Sequence, residues 1–145
     1  MAASSFELKV LSPSRQLMAI RATAITLPGT LGYMTILPDH AAMIAELDIG
    51  EVVVLSSDAG DNERFFIAGG YVEVENNQVN VLADVIEKAQ EIDAGRAEQA
   101  LKRASERLSQ LETSLDLERA NRSLKRAETR VFIAATMAST ARLQG

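Results

Sequence analysis

The stretch Ile92-Asp93-Ala94-Gly95-Arg96-Ala97 separates two kinds of sequence within this chain of 145 residues. Before it, short runs alternate between apolar and polar residues, as strands do, and after it apolar residues recur every three or four positions, as in helices. Asp93 is a favourable N-cap residue, because its carboxylate can accept a hydrogen bond from an amide of the first helical turn. The stretch therefore predicts that a β-rich region ends here and a helical region begins.

Arg96 stands at the third helical position, where a capping box would place Glu or Gln. A cation near a helix N-terminus is unfavourable by roughly 0.3–1 kcal/mol. Arg96 is therefore either a solvated side chain that the helix tolerates or a group that is placed to hold an anion.

Two apolar stripes follow Asp93 and match each other as antiparallel helices would. Positions that would face each other have numbers that add to 228, as for 101 with 127 and 104 with 124. This constant sum places the centre of the helix pair near Ser114. The phase between the stripes breaks over residues 112–116, which predicts a turn. Because alanine buries less apolar area than leucine, we expect a hairpin of modest stability that can open. The stripes comprise Ala97, Leu101, Ala104, Leu108, Leu111 and Leu115, then Leu117, Ala120, Leu124, Ala127, Val131, Ala134, Ala138 and Ala141.

Several short strands are predicted before residue 86. Phe6-Glu7-Leu8-Lys9-Val10 alternates strictly, residues 16–27 are strand-like, and residues 52–55 and 64–68 predict a strand pair. Asn76-Asn77 fits a two-residue hairpin turn, and Asp48-Ile49-Gly50 predicts another turn. Short strands with closely spaced turns are typical of a sandwich. The predicted fold class is α+β: an antiparallel β-sandwich in residues 1–85, then an antiparallel two-helix hairpin in residues 86–145.

Composition and charge narrow the classes of function. The chain has no Cys and one His, which excludes thiolate and His-rich metal sites, and we find no catalytic constellation. No secretory signal or apolar run of about 20 residues is present, so we expect a cytosolic-side compartment and only an indirect membrane role. Residues 1–85 carry four basic and eleven acidic side chains, net −7, which does not suit nucleic acid. Residues 86–145 carry eleven basic and nine acidic side chains, net +2.

Arginines crowd one half of the predicted hairpin. Arg96 and Arg103 lie two turns apart on the first helix, and Arg122, Arg126 and Arg130 recur every four residues on the second. A bound polyphosphate would relieve their mutual repulsion, since Arg pairs well with phosphate. The alternative, which the spacing alone favours, is a solvated basic face balanced by nearby glutamates.

A series of short motifs resembles the epsilon subunit family of F-type ATP synthases along nearly the whole chain. Tyr33-Met34-Thr35 departs from the family pattern by lengthening the segment between Gly32 and Leu37. The motifs are Gly29-Thr30-Leu31-Gly32, Leu37-Pro38-Asp39-His40-Ala41, Leu47-Asp48-Ile49-Gly50, Gly69 to Val74, Val81-Leu82-Ala83-Asp84, and the Asp-x-x-Arg-Ala helix start at Asp93.

The resemblance implies a non-catalytic central-stalk subunit of a proton- or sodium-translocating F-type ATP synthase. The sandwich would bind the gamma subunit and the c-ring, with Gly29, Leu31, Tyr33 and His40 as contact residues. The hairpin would restrain ATP hydrolysis when extended, because its basic second helix would then reach the catalytic alpha/beta head, and would release the motor when folded against the sandwich. The expected location is the cytoplasmic face of an energy-transducing membrane, a bacterial inner membrane.

The same resemblance implies ATP as a regulatory ligand, with no required cofactor and no metal. A ligand that contacts both helices would favour the closed hairpin. Two alternatives stay open: a stand-alone ATP-sensing hairpin on a sandwich scaffold, and a small sandwich enzyme, which the lack of catalytic groups disfavours. The implied ATP-binding residues are Asp93 for adenine and Arg96 for phosphate, then Glu87, Arg103, Arg126 and Arg130.

Overall fold

The computed structural model describes residues 2–56, 62–110 and 114–144. Within them, strands come first and two helices follow, which confirms the predicted fold class. The chain divides into two compact units, Met1–Glu87 and Lys88–Gly145. The elements are β1 (Phe6–Leu11), β2 (Gln16–Ala22), β3 (Ala24–Gly29), β4 (Gly32–Ile36), β5 (Met43–Leu55), β6 (Glu63–Glu75), β7 (Gln78–Ala83), β8 (Ile86–Lys88), a 3-10 turn (Ala89–Glu91), α1 (Ala94–Leu108) and α2 (Ser114–Gln144).

The strands form a continuous sheet in the order β2-β1-β7-β6-β5-β3-β4, and β8 pairs with β6. The neighbours whose register is defined run antiparallel, except that β1 and β7 run parallel. The prediction that the strands of the sandwich run antiparallel is therefore wrong for this one pair of strands. Parallel neighbouring strands need a long connection between them. Because strands β2 to β6 all lie between β1 and β7 in sequence, no local sequence pattern predicts that β1 and β7 pair.

β5 and β6 fold the sheet over on itself. They keep one register throughout, with Leu47 opposite Gly70 and Val54 opposite Glu63. Nevertheless, the core positions change from odd to even numbers near Gly50 in β5 and at Gly69 and Gly70 in β6. Strands that change face in this way pass from one layer of a sandwich to the other. The turn predicted at residues 48–50 is therefore wrong, because these residues form a corner within one continuous strand.

Local predictions for the other strands have mixed outcomes. Asn76 and Asn77 have φ of 52° and 57°, so the predicted two-residue turn is confirmed. The predicted pairing of residues 52–55 with 64–68 is also confirmed, with Val52 opposite Phe65. The prediction of a single strand over residues 16–27 is wrong, because a bend at Thr23 separates β2 from β3.

The core of the first unit is almost wholly aliphatic and is no more than 3% exposed. A flat single sheet would leave one face open to water, so burial this complete requires the layered arrangement that β5 and β6 create. The core comprises Phe6, Leu8, Val10, Ala22, Ile25, Leu27, Ile36, Leu47, Val52, Val54, Phe65, Ile67, Val72, Val74, Val79, Val81 and Ala83.

The second unit contains two helices, α1 and α2, that pack against each other. Its buried seam contains Ala97 and Ala104 from α1 and Ala120 and Ala127 from α2, all between 3% and 8% exposed. All four belong to the predicted stripes, and Leu101 and Leu108 are half-buried. Residues 111–113 of the predicted turn lie outside the described residues, and residues 114–116 already belong to α2.

Candidate functional site

The tip of the β3–β4 hairpin is the first candidate contact surface. The pairing of β3 with β4 ends at Gly29 and Gly32, so Thr30 and Leu31 form the tip. Leu31 is fully exposed, while the Thr30 amide donates to the Glu46 carbonyl oxygen at 3.1 Å and braces the tip against β5. A Cβ on Gly29 would lie 2.5 Å from the end of the Met34 side chain. The tip therefore presents an apolar side chain from a tightly packed turn.

Tyr33 ties this hairpin to β5. Its ring is largely exposed, but its hydroxyl accepts a hydrogen bond from the Glu51 backbone amide at 3.0 Å. Gly50 provides the space, because a Cβ there would lie 2.6 Å from that hydroxyl. Thr35 pairs with Thr26, and their hydroxyl oxygens are 2.9 Å apart. The lengthened segment of residues 33–35 is therefore part of a paired strand that is bonded to its neighbours.

His40 lies beyond the opposite end of β4, so the structure does not place it at the tip. Its Nδ1 is 2.8 Å from the Ala41 carbonyl oxygen, which makes this a local hydrogen bond within the loop. The adjacent Asp39 has φ of 61°, and its amide donates to Asn77 Oδ1 at 2.9 Å. The loop is thereby fixed to the β6–β7 turn.

A groove between α1 and α2 is the second candidate site, with a volume of about 420 Å³. We call it the arginine groove, because four guanidinium groups and one hydroxyl surround four alanines. Among the residues that line it there is no carboxylate. They are Ala100, Arg103, Ala104, Arg107, Ala120, Ser123, Arg126, Ala127 and Arg130.

The arginines of the groove form two rows. Arg103 and Arg107 occupy successive turns of α1, and Arg126 and Arg130 occupy successive turns of α2, so neighbours in a row are about 6 Å apart along the axis. Arg126 Nη2 donates to Ser123 Oγ at 3.1 Å, which orients that guanidinium. Alanines let the helix backbones approach closely, so the long side chains of both helices border one space. This arrangement suits a ligand with several negative charges.

Asp93 is the N-cap of α1, as predicted. Its Oδ1 accepts a hydrogen bond from the Arg96 amide at 3.1 Å, and its carbonyl oxygen accepts one from the Ala97 amide at 3.0 Å. The Arg96 side chain is exposed and precedes Arg103 by two helical turns, about 10 Å along the axis.

The structure brings together half of the residues implied for ATP binding. Arg103, Arg126 and Arg130 line the groove, whereas Asp93 and Arg96 do not. Glu87 lies on β8, at the end of the first unit, and is half-buried.

Two polar lining residues, Arg107 and Ser123, are missing from the set predicted for ATP binding. Arg107 follows Arg103 by four residues, so the spacing rule that identified the arginines of α2 also identifies it. Ser123 carries no such signal, because an isolated serine on a helix has many uses.

Within residues 2–56, 62–110 and 114–144, no three His, Cys, Asp or Glu side chains are grouped so that they could hold a metal ion. None of the helices in this part of the chain combines the length and apolar character that crossing a membrane requires.

The fold and these surfaces define a class of protein in which a β-sandwich is followed by a basic α-helical hairpin. Residues 5–89 match the beta-sandwich domain of the ATP synthase Delta/Epsilon chain, and residues 90–135 match the long alpha-helix domain of the same chain. The protein belongs to the ATP synthase delta/epsilon family, as the order of its sequence motifs predicted.

Relatives agree with this assignment. The ATP synthase epsilon chain of Lawsonia intracellularis is 41% identical over 108 residues, which cover 74% of this chain and 80% of that protein. The epsilon chain of Pelotomaculum thermopropionicum is 38% identical over 102 residues, or 70% of this chain and 75% of that one.

Two solved structures share the fold. One is a chain from the cryo-EM structure of the Euglena gracilis mitochondrial ATP synthase, with a TM-score of 0.80, 21% identity and coverage of 94% of this chain and 84% of that chain. The other comes from the central stalk and c-ring of the Tetrahymena thermophila mitochondrial ATP synthase, with a TM-score of 0.69, 15% identity and coverage of 92% and 99%.

Proposed function

We propose that this chain is the epsilon subunit in the central stalk of a proton- or sodium-translocating F-type ATP synthase. One observation carries the proposal: both domains of the family match in order along residues 5–135. In this role the subunit supplies no catalytic groups and turns with the rotor, linking the catalytic head to the membrane ring.

The sandwich is the proposed attachment site for the gamma subunit and the c-ring. Leu31 supports this role, because a fully exposed apolar side chain on a braced turn loses little conformational freedom on binding. Gly29 and Tyr33 shape the same tip, and His40 is proposed to contact a partner from the other end of β4.

The hairpin is the proposed brake on ATP hydrolysis. Its alanine seam supports reversible opening, because Ala97, Ala104, Ala120 and Ala127 expose little apolar area when they separate. Ile133 of α2 is a larger side chain that is also fully buried. In the open form the basic second helix reaches the catalytic alpha/beta head. The closed form lacks this contact, so any ligand that binds only the closed form relieves the brake.

ATP is the proposed ligand of the closed hairpin. The arginine groove supports this, because Arg103 on α1 and Arg126 and Arg130 on α2 would hold one polyphosphate between them. A ligand held by both helices is lost when they separate. Asp93, Arg96 and Glu87 are proposed to contribute to the same ligand from outside the groove.

The proposed location is the cytoplasmic face of an energy-transducing membrane, where other subunits of the complex hold the chain. The bacterial relatives support a bacterial inner membrane as that location.

Copurification tests the rotor assignment. A tagged copy of the chain, coexpressed with the gamma subunit of its own organism, is expected to form a complex that survives gel filtration. A stand-alone ATP-sensing module, which the arginine groove alone would support, would bind ATP without retaining gamma. Failure to retain gamma would therefore overturn the rotor assignment in favour of that alternative.

A substitution at the β3–β4 tip tests the c-ring contact. Leu31→Asp is expected to weaken assembly onto the c-ring at least about tenfold, because it places a charge in an apolar contact. Leu31→Met, which keeps the apolar surface, is the matched control. Equal assembly of both variants would remove the tip from the interface.

An ATP titration followed by NMR tests the hairpin site. Signals of Arg103, Arg126 and Arg130 are expected to shift at millimolar ATP, and Arg126→Ala is expected to weaken binding by a few kcal/mol at most. Unchanged signals in the unmodified protein would eliminate ATP as the ligand.

A further inference from the structure

We infer that Tyr33 is a positioning residue, whose hydroxyl group holds the tip of the β3–β4 hairpin in one orientation so that Leu31 meets its partner already ordered. The inference rests on the proposed attachment of this tip to the c-ring, and it names the residue that orders the contact. It also gives a role to the lengthened segment of residues 33–35, because this segment supplies the tyrosine.

The tip of the hairpin is not ordered by its own turn. The two-residue turns that fit the twist of a β-hairpin need a positive φ at their first central residue. The Asn76-Asn77 turn meets this requirement, whereas neither Thr30 nor Leu31 has a positive φ. The direction in which Leu31 projects therefore depends on contacts between the hairpin and its neighbours in the sheet.

The ladder between β3 and β5 has a gap close to this tip. The register of the pair shifts between Thr26 and Gly29, so that residues 48–52 of β5 lie opposite only residues 27 and 28 of β3. Pro28 is one of these two residues, and proline has no amide hydrogen to donate to a ladder. Backbone amides of β5 within the gap need acceptors other than β3.

Tyr33 supplies the acceptor for one of these amides. The Glu51 amide donates to the Tyr33 hydroxyl at 3.0 Å, although β3 separates β4 from β5 in the sheet, so this hydrogen bond reaches across a whole strand. Gly50 provides the room, because a Cβ there would lie 2.6 Å from the hydroxyl oxygen. Since Tyr33 follows Leu31 by only two residues, the hydrogen bond fixes the hairpin close to its tip.

Two hydrogen bonds to β5 thus lie on either side of Leu31. The Thr30 amide donates to the Glu46 carbonyl oxygen at 3.1 Å on the β3 side, and the Tyr33 hydroxyl accepts a hydrogen bond on the β4 side. Leu31 itself is fully exposed. A partner that binds an ordered tip pays less conformational entropy than one that must order the tip. Loss of the hydroxyl therefore weakens binding without removing a contact to the partner.

Binding of the full chain, in complex with its gamma subunit, to the c-ring of its own organism in lipid nanodiscs tests the inference. Tyr33→Phe keeps the ring and removes only the hydroxyl, and it is expected to raise the dissociation constant about three- to tenfold. Tyr71→Phe is the matched control, because it removes the hydroxyl of another exposed tyrosine of the sandwich. It is expected to change the dissociation constant less than about twofold.

A double-mutant cycle shows whether Tyr33 acts through Leu31. In the Leu31→Ala chain, the further change Tyr33→Phe is expected to alter the dissociation constant less than about twofold, because a tip without its apolar side chain gains nothing from being ordered. An equal effect of Tyr33→Phe with and without Leu31 would mean that the hydroxyl contacts the partner directly. That result would overturn the positioning role.

NMR of the unbound full chain provides a readout that a general loss of stability would not produce. Tyr33→Phe is expected to lower the backbone order parameters of Thr30 and Leu31 and to speed hydrogen exchange of the Glu51 amide about tenfold or more. Amides of the β7 core, such as Val79 and Val81, are expected to stay unchanged. A uniform change across the sandwich, or an unchanged tip, would overturn the inference.

Failure of this inference differs from failure of the proposed attachment. If Leu31→Asp and Leu31→Ala weaken binding to the c-ring while Tyr33→Phe does not, the positioning role is wrong and the attachment through the tip stands. If neither leucine variant weakens binding, both proposals are overturned.

Discussion

The sandwich and the hairpin bury similar kinds of residue to different extents. In the sandwich, large side chains such as Phe6, Leu8 and Phe65 are no more than 1% exposed. Among the described residues of the hairpin, most buried side chains are alanines such as Ala104 and Ala120, although Ile133 is also fully buried, and Leu101 is only half-buried. Because burial of apolar area dominates stability, we expect the sandwich to be the more stable unit and the hairpin the less stable one.

The two units also differ in net charge. Residues 1–87 carry four basic and twelve acidic side chains, net −8, and residues 88–145 carry eleven basic and eight acidic side chains, net +3. Four of the basic groups of the hairpin surround one groove, and the residues that line this groove include no carboxylate. Under the proposed function, the unit with the smaller buried side chains is also the one whose closure a charged ligand controls.

Truncation of the sandwich core is expected to have the largest effect on stability. Phe65→Ala should lower the free energy of unfolding by about 3–5 kcal/mol, because it removes a fully buried ring and leaves a cavity. Leu101→Ala in the hairpin should cost about half as much or less, since that side chain is only half-buried. Urea unfolding followed by NMR signals of each unit measures both. Equal losses would remove the contrast between the units.

A side chain added at the corner of β6 is expected to cause the second-largest loss of stability. A Cβ on Gly70 would lie 2.1 Å from the Leu82 carbonyl oxygen at a φ of 133°, so Gly70→Ala should destabilise the sandwich by about 3 kcal/mol. Gly32→Ala is the matched control, because φ there is 128° but nothing lies within 4 Å. It should cost only the backbone strain, about 1 kcal/mol. Similar losses in urea unfolding would show that packing at the corner is not the cause.

The Arg64–Glu51 ion pair gives a smaller effect within the sandwich. Arg64 Nη1 lies 2.6 Å from Glu51 Oε1, and the Glu51 side chain is only 13% exposed. Arg64→Ala should cost about 1–3 kcal/mol, because it leaves a mostly buried carboxylate without its partner. Glu51→Gln in the same chain should recover part of this loss in urea unfolding. No recovery would mean that the Arg64 stem, and not its charge, stabilises the sheet.

Loss of the α1 cap should have the smallest effect and should be confined to the hairpin. Hydrogen exchange is expected to show less protection for seam amides of the hairpin than for core amides of the sandwich. Asp93→Ala should lower the opening free energy measured at the hairpin amides by a further ~1 kcal/mol. Asp93→Asn keeps the cap and should leave this free energy nearly unchanged. Seam amides as protected as the sandwich core would contradict the proposed opening.

The residues whose structure could be predicted act through near neighbours. Asp93 caps α1 by accepting a hydrogen bond from an amide only three residues away. Asn76 and Asn77 form a turn by their own conformation, and Ala104 and Ala120 lie on stripes with a helical period. The local patterns of the sequence were sufficient for the fold class and for three of the four arginines that line the arginine groove. Each one depends on chemistry within a few positions along the chain.

What only the tertiary structure decided depends on residues far apart in sequence. The parallel pairing of β1 with β7 and the hydrogen bond from the Glu51 amide to Tyr33 have no local signature. The sequence by itself determined that a β-rich unit precedes a basic helical hairpin, because hydrophobic period and capping are local. The structure decided which strands meet and which arginines share a groove, because those outcomes depend on how whole elements pack.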